Sequence, residues 1–135
     1  MLGNLLFEET GKVTGMEVLP PEEGAVVVKV SLQATGRIQG VEHTSMWTYI
    51  STTRPDGSVF DQGQGVLTTA DGDVVHLVGR ASSQSSGPES PLHARGAFHF
   101  QTQSEKFARL NSLAGVFEYD IAGDGTSKGK IWEWT

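Results

Sequence analysis

Five residues make the strongest case for a small-molecule site: Trp47, Tyr49, Gln64, His76 and Arg80. Trp47 and Tyr49 lie two apart, so on an extended segment they share a face and offer flat apolar walls with polar tips. Gln64 sits between Gly63 and Gly65, where little crowds an amide that both donates and accepts. His76 and Arg80, four apart, also share a strand face and would supply a titratable group and a fixed cation. Strand parity sets a condition on this set. If Arg54 pairs with Ser58 across a Pro-Asp-Gly loop, Tyr49 falls opposite Gly63 and Trp47 opposite Gly65. Gln64 then faces away from both aromatics, and the five converge only through a bulge. The plainer alternative makes Trp47 and Tyr49 core and leaves the other three solvated.

Asp61, Arg80 and Arg95 fall mid-strand, where a charge usually faces solvent. An inward arginine paired with Asp61 or Glu118 would make a polar floor for a carboxylate or carbonyl ligand. Glu8 and Glu9 are adjacent, so a regular strand turns one of them inward. The four histidines, His43, His76, His93 and His99, show neither HxH nor HExxH spacing. His93 and His99 share a face but stand roughly 20 Å apart along a strand. No metal or cofactor is expected. The chain has no cysteine, which excludes disulfides, thiolate metal sites and a cysteine nucleophile. Serines are plentiful, yet no GxSxG elbow occurs, which disfavours nucleophilic hydrolysis. Gly63-Gln64-Gly65 precedes no helix, so it is not a phosphate loop. Its two readings are glycines at a barrel bend and backbone approach to a ligand.

These residues need elements to hold them. The 135 residues fit one domain, long enough to bury a core unaided. Seventeen glycines in short, regularly spaced turns, among many Val, Thr and Phe, predict an all-β chain. Eight strands are expected, at 4–19 (bent at Gly11 or Gly15), 25–37, 40–53, 58–68, 73–83, 91–102, 114–121 and 127–134. Asp56-Gly57, Asp71-Gly72 and Asp124-Gly125 mark tight turns. Residues 82–91, SSQSSGPESP, read as a mobile loop or a lid over a barrel mouth. Residues 104–111 read as a short helix capped by Ser104, with Phe107 and Leu110 on one face. In the segment 25–37, Val26, Val28, Val30, Leu32 and Ala34 share the inner face, and a tight turn near Ile38-Gln39 adds His43, Ser45, Trp47 and Tyr49 to it. Short connections imply an up-and-down meander, and closure into an eight-stranded antiparallel barrel removes its edges. The terminal strand needs a partner, and Leu5-Leu6-Phe7 is the natural one.

Sixteen acidic and ten basic residues give a net charge of −6, which disfavours nucleic acid and anionic membrane as partners. The N-terminus has no basic, apolar leader and no window spans a membrane, so the expected location is the cytoplasm. Three tryptophans and six phenylalanines are many for so small a barrel, which points to a homo-oligomer, a dimer first.

The segments GVEHTSMWTY, RPDGSVFDQGQGVLTTADG and KFARLNSLAGVFEYDIAGDGTSKGKIWEW resemble a family of small uncharacterised prokaryotic proteins, similar in architecture to the allene oxide cyclase-like barrels. The resemblance runs from about residue 5 to the end. It implies the barrel and carries over no catalytic residue. Three functions stay open: a binding barrel for a small apolar or amphipathic molecule, a cyclase or isomerase type of enzyme, and a solid-core structural or oligomeric protein.

Overall fold

A computed structural model describes residues 2–87 and 90–135. Eight strands follow one another: β1 (Leu2–Glu22), β2 (Ala25–Ile38), β3 (Val41–Thr53), β4 (Ser58–Thr69), β5 (Val74–Gln84), β6 (Leu92–Thr102), β7 (Ala114–Ile121) and β8 (Thr126–Trp134). Each is antiparallel to the next, and β8 returns to β1 to close a barrel. The turns after β1, β3, β5 and β7 therefore share one rim, here the upper. Closure rests on the pairing expected for the terminal strand, with Leu5 opposite Trp132 and Phe7 opposite Ile131.

Turn chemistry fixes the register. Gln39 and Gly40 both hold positive φ, at 47° and 80°. Two such residues in a two-residue connection match the twist of the flanking strands, and Ile38 pairs with Val41. The Arg54 N–H donates the closing hydrogen bond of the Pro-Asp-Gly loop to the Ser58 carbonyl. Tyr49 accordingly lies opposite Gly63 and Trp47 opposite Gly65.

Three local expectations need correction. The segment after β6 forms only a 3-10 turn, Ala108–Ser112, without a side-chain cap. Ser104 is not that cap: its hydroxyl donates to Asp73 Oδ1 at 2.7 Å. Phe107 and Leu110 are both buried, so the turn still plugs the lower end. β1 runs unbroken through Gly11 and shifts register against β2 between Val13 and Gly15, at the second of its two expected bends, and again between Leu19 and Glu22. On β2, Val30, Leu32 and Ala34 are buried, but Val26 is 58% exposed, at the rim where the alternation shifts. Of the expected loop at 82–91, residues 82–84 belong to β5, and Pro88 and Glu89 lie outside the described residues.

Most of the aromatic residues sit inside the barrel, while Trp134 is exposed. Phe7, Trp47, Phe98, Phe100, Phe107, Phe117 and Tyr119 are all buried. Glycines across the strand make room for several of them. A Cβ on Gly65 would stand 2.2 Å from the Trp47 ring, one on Gly79 2.1 Å from Phe98, and one on Gly129 2.3 Å from Tyr119. Large rings laid over bare backbone fill a tightly curved wall without pushing its strands apart. Among the described residues, no helix is long and apolar enough to cross a membrane.

Candidate functional site

Inward residues of β3 read His43, Ser45, Trp47 and Tyr49 in alternation. Glu9, the inward member of the Glu8-Glu9 pair, meets the first three from β1. Its side chain is fully buried. His43 Nε2 donates to Glu9 Oε2 at 3.2 Å, and the Ser45 hydroxyl donates to the same oxygen. Trp47 Nε1 donates to Oε1 at 2.9 Å, and the Tyr119 hydroxyl donates there too. Four donors from β3 and β7 converge on one carboxyl, which offsets the cost of placing it in the core. Burial, then the Glu9 charge, pushes the Tyr119 phenol well above its usual range, so it stays protonated and donating.

Directly above this nest lies a cavity of about 70 Å³. Trp47, Phe98, Phe117 and Tyr119 form its aromatic wall. Phe98 stacks on Phe117 with centroids 4.2 Å apart, and Trp47 tilts against Phe98 at 5.1 Å. Leu32, Ala81, Ala94 and Ile121 complete the apolar lining. The polar lining is Tyr49 and Asp61, with the exposed Gln64 and Arg80 at its border. Gly63, between Tyr49 and Asp61 on β4, lacks a side chain and leaves their approach open.

Among the described residues, His43, Asp61, Ser83 and Ser127 each hold a buried polar atom without a hydrogen-bond partner, and of these only Asp61 lines the cavity. Its Oδ1 is buried with no hydrogen-bond partner. Burial pushes its carboxyl above the usual carboxylate range, and Ser51, opposite it on β3, offsets this in part through a side-chain hydrogen bond. Burial and then the Asp61 charge push the Tyr49 phenol upward, so it too stays protonated. An acid whose folded pKa is raised favours folding most when protonated, and that contribution fades as pH rises through the folded pKa. Asp61→Asn is therefore expected to stabilise the ligand-free protein at neutral pH by about 1 kcal/mol, and by nothing below ~pH 3.9. Urea unfolding at both pH values measures this. Equal effects at the two would show that Asp61 is not held uncomfortably in its charged form.

Of the five residues singled out in the sequence, Trp47, Tyr49, Gln64 and Arg80 are at this cavity and His76 is not. Trp47 and Tyr49 point into the cavity. Gln64 and Arg80 border it next to Gly63 and Gly79, but both are exposed and alternate with the inward residues. No bulge intervenes: β3, β4 and β5 pair without a register shift. His76 lies on the outer face, in a shallow groove with Met46, Val66 and Gln101. The polar floor built on an inward arginine is absent. Arg95 pairs outside the barrel with Glu118 at 3.3 Å and Asp120 at 3.2 Å, while Asp61 faces in without a cation.

Phe98, Phe117 and Tyr119 were missed. Their signal was in the sequence, because Gly79 opposite Phe98 and Gly129 opposite Tyr119 repeat the glycine-aromatic pairing seen at Trp47.

Among solved structures, the fold is similar to a conserved protein of unknown function from Rhodopseudomonas palustris, with a TM-score of 0.80 at 13% identity over 99% of both chains. A β-barrel-like protein from Acinetobacter baumannii matches with a TM-score of 0.80 at 11% identity, over 97% of this chain and 96% of that one. An enzyme from Penicillium herquei matches with a TM-score of 0.69 at 16% identity, over 98% of this chain and 96% of that one. At such identities the likeness is one of fold. No family model and no curated protein matches the chain.

Proposed function

We propose that this barrel binds one small, compact, largely apolar molecule that carries a single polar head. The observation that carries this reading is an aromatic cavity ending on a buried, unpartnered carboxyl oxygen, Asp61 Oδ1. A solid core has no use for that oxygen, since leaving a buried acceptor unsatisfied costs about 1–3 kcal/mol. A ligand that donates a hydrogen bond to it recovers the loss. The volume limits the ligand to about five to seven water-sized groups, at roughly 10–15 Å³ each. Rings and branched chains suit such walls better than long chains.

The test is a titration of methyl-labelled protein with cyclopentanol, followed by NMR. Methyl signals of Leu32, Ala81, Ala94 and Ile121 should shift together along one binding curve. Those of Val18 and Val78, which are 81% and 60% exposed, should stay still. No shifts, or shifts confined to exposed methyls, would contradict the proposal.

One observation favours a second reading, proton transfer on a bound carbonyl compound. Asp61 is titratable, lies inside the cavity and stands near a protonated phenol, Tyr49. In this reading the Asp61 carboxylate takes a proton from the carbon beside the carbonyl while Tyr49 donates a hydrogen bond to the oxygen. Return of the proton to another carbon completes an isomerisation. The Penicillium neighbour, described as an enzyme, is compatible with it. Loss of deuterium from α-deuterated cyclopentanone should run faster with the wild-type protein than with Asp61→Asn; equal rates would remove this reading.

A further inference from the structure

The charge inside the barrel narrows the ligand class further, on the premise that the cavity binds a ligand at all. All ten lysines and arginines are exposed. Among the described residues, the buried ionisable groups are Glu9, His43, Tyr119 and Glu133. Glu9 is occupied by its four donors, and Arg109 grips Glu133 through both oxygens, at 2.8 and 3.2 Å, at the lower end. Arg80, next to the cavity wall, is exposed and belongs to the outer alternation of β5. That leaves Asp61 as a half-buried carboxyl facing the cavity, with one oxygen bonded and the other bare.

Aromatic rings share the cavity with it. Trp47, Tyr49, Phe98, Phe117 and Tyr119 all line the same space. The face of an aromatic ring carries the negative part of its quadrupole and attracts a cation. A neutral or anionic head gains little from this surrounding, and an anion is repelled by Asp61. An ammonium group satisfies the bare oxygen, cancels the buried charge and meets the ring faces.

From this geometry we infer that the cavity takes a small primary amine in its ammonium form, with a compact hydrocarbon body of about five or six heavy atoms. The nitrogen donates to Asp61 Oδ1 and the hydrocarbon packs against the apolar lining of Leu32, Ala81, Ala94 and Ile121. Burial, which raises the Asp61 carboxyl, acts on the ligand-free protein; a bound cation reverses it.

Three ligands of one shape test this: cyclopentylamine, cyclopentanol and cyclopentanecarboxylate. Each is titrated at neutral pH into the wild-type protein and into Asp61→Asn, with the methyl signals of Ala81 and Ala94 as readout. In the wild type the amine should bind at least about 10-fold more tightly than the alcohol, and the carboxylate should not bind. In Asp61→Asn the amine should lose that advantage while the alcohol still binds. The inference is overturned if the alcohol matches the amine in the wild type, or if the amine's advantage survives in Asp61→Asn. Either result leaves the binding barrel standing. If none of the three moves the cavity methyls, binding itself fails and the amine preference fails with it.

Discussion

Glu9→Ala is expected to destabilise the protein by about 3–5 kcal/mol, enough to unfold a marginal domain at 37 °C. The size follows from what is left behind. His43, Ser45, Trp47 and Tyr119 all aim donors at this carboxyl, and all four are buried. Removing the acceptor strands several of them in a core that water does not reach, and each stranded donor costs about 1–3 kcal/mol. Trp47 Nε1 alone keeps an acceptor, because it also donates to Ser45 Oγ at 2.9 Å. Glu8→Ala, one residue away and exposed, should change stability by less than about 0.5 kcal/mol. Urea unfolding of both variants checks the pair. Similar small losses in the two would mean that the Glu9 nest is not what ties β1 to β3 and β7.

Gly65→Ala carries the second large effect, a loss of about 1–3 kcal/mol. The added methyl would lie 2.2 Å from Trp47 Cε3, well inside contact distance. Trp47 has little freedom to yield, since its Nε1 is held by Glu9 and its ring is packed on Phe98. The strain therefore passes to the carboxyl nest below and to the cavity above. Gly15→Ala is the control: a Cβ there meets nothing within 4 Å. It should be neutral within about 0.5 kcal/mol. Matching thermal midpoints for the two variants would contradict the glycine-seat packing.

How much of this was legible in the sequence depends on the range of the signal. Turns are local, so Asp-Gly and Pro-Asp-Gly placed the strands and even set Trp47 over Gly65. The same parity warned that Gln64 would face away, and it does. What failed was the choice among polar residues. His76 and Arg80 were attractive for their chemistry, but a strand turns alternate residues outward whatever their type. No arginine turns inward beside Asp61, because Arg80 and Arg95 both fall on the outer alternation. The register that sets Tyr49 opposite Gly63 also sets Ser51 opposite Asp61, and β3 carries no lysine or arginine. The four donors around Glu9 come from β3 and β7, 34 to 110 residues away, a separation at which no local pattern speaks. The 3-10 turn after β6 misled for the opposite reason. Good helix formers filled it, but the plug needed only Phe107 and Leu110, and the chain ended the helix after one turn.

The most direct test of the binding role is a crystal structure of the protein grown with cyclopentylamine. Density for the five-membered ring is expected in the cavity against Leu32, Ala81, Ala94 and Ile121, with its nitrogen at about 2.7–2.9 Å from Asp61 Oδ1. A cavity holding only water at saturating amine, or an amine seated in the outer groove near His76, would contradict it.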